Sequence, residues 1–315
     1  MDNNRLLIVT YHYIGDPTQY PRGGIHPLPR STFESHIQNI SRSYYIPTPL
    51  EVEAFLYKDY AFEKPSVFFT FDDGLIDHYL VATTLLAEYN ICGAFFISTE
   101  PLIKHSVLTV HKAQWLRAHC EPNFLRNEFY SLAERAKSDI NIDDCRKQAS
   151  KHYRFDNPQD AHMKYLINFI LPPGIIDHIL TTILERTGTN EKELSKKLYM
   201  NEEQILELHN SGHLIGAHSH RHIPLRRLDN SLDKDIKTNI EVISNVIGYK
   251  PTWISYPHGT TQTLPINPVK FCECFGLRIG LTMEPGWNLS NTPPTQLRRI
   301  EQNDIGNFIE QELSA

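Results

Sequence analysis

Features that mark secreted, membrane-spanning or nucleic-acid-binding chains are scarce in this sequence. Five of its 315 residues are cysteine, scattered at Cys92, Cys120, Cys145, Cys272 and Cys274. An odd, scattered set argues against a disulfide framework. Cys272 and Cys274 are too close for the usual zinc-knuckle spacing, and no second pair accompanies them. No stretch approaches the roughly 18 apolar residues of a membrane span. The apolar residues 6–9, behind a polar start, are too few for the core of a signal peptide. These lacks lead to the expectation of a cytoplasmic protein. There is no basic run, and the net charge is −6, so no nucleic-acid partner is expected.

What is present is an ordinary globular composition, with 40% hydrophobic and 22% charged residues. The length suits one large α/β domain or two small ones. The 16 histidines make a metal or acid–base site worth seeking. Residues 6–10 read as a first strand and 32–43 as a helix with Phe33, Ile37 and Ile40 on one face. A short strand is expected at 44–47 and a helix at 49–57. Residues 66–71, 75–89 and 90–97 read as strand, helix and strand, a unit that implies parallel pairing. Between 102 and 199 the texture changes to short amphipathic stretches, read as a mainly helical insertion. Alternation resumes at 201, with strands expected near 213–217, 251–256, 277–282 and 298–300. A clear helix carries Leu232, Ile236, Ile240, Ile243 and Ile247, and a last helix carries Ile305, Phe308 and Ile309. The expected fold is therefore α/β, with residues 1–101 and 200–315 as one domain and 102–199 inserted in it. Repeated alternation argues for a parallel sheet or a barrel, with function at the carboxyl ends of the strands.

One such end carries Val67-Phe68-Phe69-Thr70-Phe71-Asp72-Asp73-Gly74. An apolar run closed by glycine reads as a buried strand entering a turn. Two carboxylates there need hydrogen bonds, a cation or a metal. They can divide two roles, one holding a metal and the other facing a substrate, or one can simply cap the next helix. A second strand end carries His218-Ser219-His220-Arg221-His222. In helical form, His218 and His222 would share a face and hold one divalent metal. A carboxylate would complete a set of two histidines and one acid, leaving positions open for water or substrate.

Together the two motifs resemble those of the polysaccharide deacetylase (NodB-homology) family of carbohydrate esterases. Thr70-Phe71-Asp72-Asp73-Gly74 matches its T-F-D-D-G motif, and His218 to His222 matches H-[ST]-x-x-H, with Leu225 at a usual leucine position. The resemblance covers about residues 5–100 and 200–302. It implies a distorted (β/α) barrel, with Asp73, His218 and His222 as metal ligands and Asp72 as general base. The family's R-x-P-Y motif reads Ser255-Tyr256-Pro257-His258-Gly259 here, and its late Asp-Trp and Leu-x-His motifs are not visible. Thr10-Tyr11-His12, the Tyr256-Pro257-His258-Gly259 turn and Leu297-Arg298-Arg299-Ile300 are similar to a permuted branch that includes poly-N-acetylglucosamine deacetylases. By that similarity His12 is the general acid, and Arg299 replaces the missing arginine as orienter of Asp72. Tyr256, Pro257 and His258 are expected to meet substrate. Trp287, in a loop between Gly286 and Asn288, is the candidate sugar platform.

The implied activity is removal of N-acetyl groups from an amino-sugar-containing substrate, in surface-polysaccharide or glycoconjugate synthesis. Zinc is the first choice of metal, with cobalt, nickel or iron also suited to the ligand set. Two other readings stay open. One is an amidase or deformylase acting on a small molecule. The other is a degenerate barrel that binds saccharide without hydrolysing it, for which the missing motif-three arginine would be the mark.

Overall fold

The structure is a computed structural model that describes residues 4–20, 22–58, 60–136, 145–153, 157–306 and 308. The chain divides into two compact units. The first comprises Met1–Pro17, Pro27–His105 and Lys196–Ala315, and the second Thr18–His26 and Ser106–Ser195.

The first unit is built on β1 (Arg5–Tyr11), β2 (Ser66–Phe71), β3 (Ala94–Ile97), β4 (Leu214–Ala217), β5 (Trp253–Ser255), β6 (Ile279–Leu281), β7 (Asn288–Leu289) and β8 (Ile300–Glu301). The sheet order is β6-β5-β4-β3-β2-β1-β7, with β8 also on β1. The pairings are parallel except β1 with β7. Leu297 bridges Leu281 at the end of β6, and three residues later Ile300 pairs with Val9 of β1. One short segment thus touches both ends of the strand series and curls it into a distorted barrel.

Strands β2 and β3 are buried along their whole length, which is why they read as continuous apolar runs rather than alternating ones. Ring planes of Tyr11, Phe69, Phe71 and Phe95 stack through centroid distances of 5.8, 5.4 and 4.6 Å. Each such pair adds about 0.5–1.5 kcal/mol beyond its buried area. This aromatic layer lies directly beneath the carboxyl ends of β1, β2 and β3. Helix Leu232–Ile247 packs its isoleucine stripe on the same core.

Several local expectations change. Residues 44–47 form only a bridge from Tyr45 to Ser66. The helix after β2 contains a π turn, His78–Ala82, before Thr83–Glu88. The two-residue β7 was not expected; it lies antiparallel on the amino end of β1. Of the last expected helix, Ile305 is helical, whereas Ile309 lies outside the described residues.

Among the described residues the second unit holds helices and no strand, including Thr109–His119, Pro122–Arg135, Pro158–Tyr165 and Pro173–Arg186. Its Lys112 is buried and reaches Asp177 at 2.8 Å and Glu191 at 3.0 Å. The paired carboxylates satisfy a charge that burial would otherwise disfavour. No helix among the described residues is long and apolar enough to cross a membrane.

Candidate functional site

Strand β2 delivers Asp72 and Asp73 at its carboxyl end, only 2% and 3% exposed. Asp73 has φ 77° and Gly74 φ 75°, so the chain turns sharply at once. A left-handed glycine costs little, whereas a left-handed aspartate is unusual and must be held by its surroundings. Neighbouring side chains therefore diverge, and the two carboxylates enter different environments.

Asp72 enters a cage. Arg299 Nη1 donates to its Oδ1 at 2.9 Å and Nη2 to its Oδ2 at 2.8 Å. The Ser255 hydroxyl donates to Oδ2 at 2.8 Å and itself accepts from Arg299 Nη2. Arg299 is fully buried and is aimed by bonds from Nε to the Thr282 carbonyl and from Nη1 to the Thr10 hydroxyl. Its place follows from topology: it directly precedes β8, which lies beside β1, and β1 pairs in turn with β2. Burial pushes the Asp72 pKa up, but the charges of Arg299 and His218, the Arg299 hydrogen bond and His12 outweigh it. The carboxyl is held well below its usual range, and Asp72 is an anion at all ordinary pH.

Asp73 faces two imidazoles. Its Oδ1 lies 3.2 Å from His218 Nε2 and 3.1 Å from His222 Nε2. The three can offer ligand atoms within 4.8 Å of one another. His218 Nδ1 lies 2.7 Å from the Ser255 carbonyl, which can only accept, so Nδ1 carries the proton. That leaves the Nε2 lone pair facing a carboxylate oxygen. Such an approach is tenable only with a cation, proton or metal, among the three atoms. Burial lowers the His218 pKa, but the charges of Asp72 and Asp73 and the Ser255 carbonyl outweigh it and raise the value. The set thus attracts positive charge, and its two nitrogens and one oxygen fit a divalent metal. A ligating histidine whose other nitrogen is fixed by a carbonyl is the usual arrangement at such centres.

The histidine pair does not converge through a helix, as its spacing suggested. Strand β4 ends at Ala217, and residues 218–222 form a loop. Ser219 has φ 58° and His222 φ 55°, and the Ser219 hydroxyl accepts from the His222 N–H at 3.0 Å. These left-handed residues fold the chain back, bringing the ring centroids to 4.8 Å. The loop is braced by helix Leu232–Ile247. Asn239 accepts from the His218 N–H and donates to the carbonyls of Ile97 and Ser219. Asp235 accepts from the N–H of His220 and from Arg221. Four of the seven left-handed non-glycine residues among those described are Asp73, Ser219, His222 and His258. Backbone conformations of this kind persist where surrounding structure enforces them, often at functional sites.

His12, one residue past β1, is half-buried, with Nδ1 3.8 Å from Glu301 Oε2. Its charge is the smallest of the influences that lower the Asp72 pKa. His258 also adjoins the cluster: its ring centroid is 5.1 Å from that of His222. Burial, and then the neighbouring His222, lower its pKa to about 3, so it is neutral there. Pro257 is buried beside it.

Two expected substrate contacts do not join the site. The Tyr256 side chain is fully buried and its hydroxyl donates to the Thr295 carbonyl at 2.9 Å. Gly280 makes room for it, since a Cβ there would stand 2.2 Å from the hydroxyl oxygen. Trp287 stacks on Tyr44 and lies under the Arg5 guanidinium, 4.4 Å from the ring centroid. Because β7 runs antiparallel on the amino end of β1, with Asn288 opposite Leu6, Trp287 stands near Leu7, four residues of strand and roughly 13 Å from Tyr11. Ser255, Asn239, Asp235 and Glu301 were not singled out from the sequence. Asp235 and Asn239 left one signal, as polar residues flanking the apolar stripe of helix Leu232–Ile247.

Residues 181–273 match the family model described as polysaccharide deacetylase. The matched stretch holds His218, His222 and the Ser255 to Gly259 turn; the fold brings Asp72 and Asp73 to them from outside it. The fold is similar to that of solved deacetylases. The Streptococcus pyogenes deacetylase PplD superposes with a TM-score of 0.60 at 15% identity, over 98% of both chains. IcaB from Ammonifex degensii gives 0.58 at 14%, over 98% of this chain and 97% of that one. The BpsB deacetylase domain from Bordetella bronchiseptica gives 0.55 at 14%, over 95% and 96%. No curated protein matches the chain in sequence.

Proposed function

We propose that this protein is a metal-dependent N-deacetylase that hydrolyses acetamido groups on an amino-sugar-containing saccharide, in the synthesis of a surface polysaccharide or glycoconjugate. The observation that carries the reading is the division of labour between adjacent carboxylates. Asp73 is committed to His218 and His222, while Asp72 is kept ionised by a bidentate arginine.

Asp73, His218 and His222 would hold the metal, which when bound lowers the pKa of a water and polarises a carbonyl. Zinc suits two nitrogens and one oxygen with positions left open. Asp72 takes the proton of the attacking water. Its low proton affinity makes it a weak base toward bulk water, so Arg299 and Ser255 serve mainly to aim its oxygens. His12 gives a proton to the departing nitrogen, since an amine leaves poorly as an anion. His258, neutral and beside His222, closes the other side of the cluster. The products are acetate and a free amine. PplD is described in complex with acetate, the acid such a reaction releases.

The degenerate-barrel reading rested on a missing arginine. Arg299 stands on Asp72 from the segment leading into β8, which supports hydrolysis instead. The test is acid release from a panel of N-acetylated glucosamine oligomers and small N-acyl amides. The proposal expects acetate from the oligomers, abolished by chelation and restored by zinc. Release from the small amides alone, or from nothing in the panel with metal bound, would overturn it.

A further inference from the structure

His12 follows β1 and Asp72 follows β2. The two strands pair in register, with Tyr11 opposite Phe71, yet beyond that point both chains leave the sheet. A proton donor past the end of a strand needs something to hold it. The helix that opens after Gly74 supplies it. His78 is fully buried on the first turn, against the rings of Phe71 at 5.3 Å and Phe95 at 6.4 Å. Its Nε2 lies 2.6 Å from the His12 carbonyl oxygen. A carbonyl only accepts, so Nε2 carries the proton. Burial lowers the His78 pKa to about 4, which keeps the ring neutral with that single proton. One residue earlier, burial raises the pKa of the half-buried Asp77 to about 6, against a smaller lowering by the Ile14 backbone. The π turn His78–Ala82 begins at the His78 contact, and such widened turns are frequent at functional sites. On its far side the segment is tied by the Leu28 N–H to the Tyr13 carbonyl and the Gly15 N–H to the Leu28 carbonyl.

We propose that His78 is a positioning residue that clamps the His12 segment to the strand bearing Asp72 and Asp73, fixing the proton donor against the base and the metal ligands. The inference rests on the reading of His12 as general acid. His78 need not touch substrate. Its content is a covalent link: the eight residues from Phe71 to His78 carry the base, a ligand and the anchor of the acid together. A shift of one moves all.

The experiment compares wild type, His78→Phe, His78→Gln, His12→Ala and the double variant His12→Ala/His78→Phe, all loaded with zinc. Phenylalanine fits the aromatic surroundings and removes only the donor, while glutamine offers an amide N–H near the position of Nε2. Metal content should be unchanged in all. Because a displacement of about 1 Å can cost on the order of 100-fold, His78→Phe should lower kcat for acetate release by about 10-fold or more. KM should hold, and the pH at which kcat falls on the alkaline side should move. His78→Gln should recover most of the loss. In the His12→Ala background the His78→Phe change should cost almost nothing, because the donor it positions is gone. Amide exchange at residues 12–14 should quicken in His78→Phe irrespective of activity. Equal losses in both backgrounds, or unchanged kcat and exchange in His78→Phe, would overturn the clamp. Wild-type kcat in His12→Ala would instead reject the role of His12. The clamp then stands or falls on the exchange measurement.

Discussion

Replacing Arg299 by leucine removes the group that makes a buried Asp72 charge tolerable. The guanidinium is inaccessible to solvent and holds both Asp72 oxygens at 2.8–2.9 Å. Without it, Asp72 retains the Ser255 hydroxyl and the more distant histidines. Breaking a buried pair from one side costs about 3–5 kcal/mol, because the remaining charge is left uncompensated. In a domain of this size each kcal/mol moves Tm by roughly 2–4 °C, so a fall on the order of 10 °C is expected. The pH dependence has a definite sign. In wild type the folded pKa of Asp72 lies below its unfolded value, near 3.8. Its stabilisation is therefore present above about pH 4 and is lost as pH falls through the folded value. In Arg299→Leu, burial prevails and the folded pKa rises above the unfolded one. The deficit against wild type should be smallest below pH 4 and grow toward pH 7. Thermal unfolding of the chelated protein at a series of pH values measures this. Adding Asp72→Asn to Arg299→Leu should recover much of the loss, since it removes the stranded charge. A double variant as unstable as the single one, or a deficit independent of pH, would refute the reasoning.

His218→Ala should lose stoichiometric metal, read by elemental analysis after dialysis; undiminished metal content would remove it from the ligand set. His213 is buried, and its Nδ1 accepts from the Gly93 N–H at 3.1 Å. Burial lowers its pKa from 6.5 to about 4, so its contribution is present above pH 6.5 and lost as pH falls through 4. His213→Asn keeps an acceptor without that titration, and should remove on the order of 3 kcal/mol of the acid-side loss of stability. Trp287→Ala should leave KM for an N-acetylated oligomer within about twofold of wild type, measured by acetate release. A tenfold rise would return Trp287 to the saccharide site.

The legible part of the fold was the part governed by pattern. Continuous apolar runs marked β2 and β3, and a clean isoleucine stripe marked helix Leu232–Ile247. The motifs at strand ends gave Asp72, Asp73, His218 and His222, and the fold brings them together across more than 140 residues of chain. The pairing of Arg299 with Asp72 came from the resemblance to the permuted branch, and the fold supplies its physical basis by laying β8 beside β1. Three features were hidden for physical reasons. The His218 to His222 spacing fits a helix turn as well as a loop, and only the left-handed Ser219 and His222, braced by Asn239, distinguish them. The direction of the Tyr256 side chain depends on the space left by Gly280, a tertiary fact. Trp287 reads as loop from its neighbours, but β7 fastens it to the opposite end of β1. The clamp from His78 to the His12 carbonyl is a side-chain-to-backbone contact over 66 residues and leaves no periodic trace.

The central claim is that Asp73 serves the metal and Asp72 serves the water. Metal content and acetate release, measured together on zinc-loaded wild type and Asp72→Asn with an N-acetylated glucosamine oligomer, test it most directly. The account predicts that Asp72→Asn binds zinc in the wild-type amount and releases acetate at least about a hundredfold more slowly. Wild-type turnover in Asp72→Asn, or loss of its zinc, would contradict that division of roles.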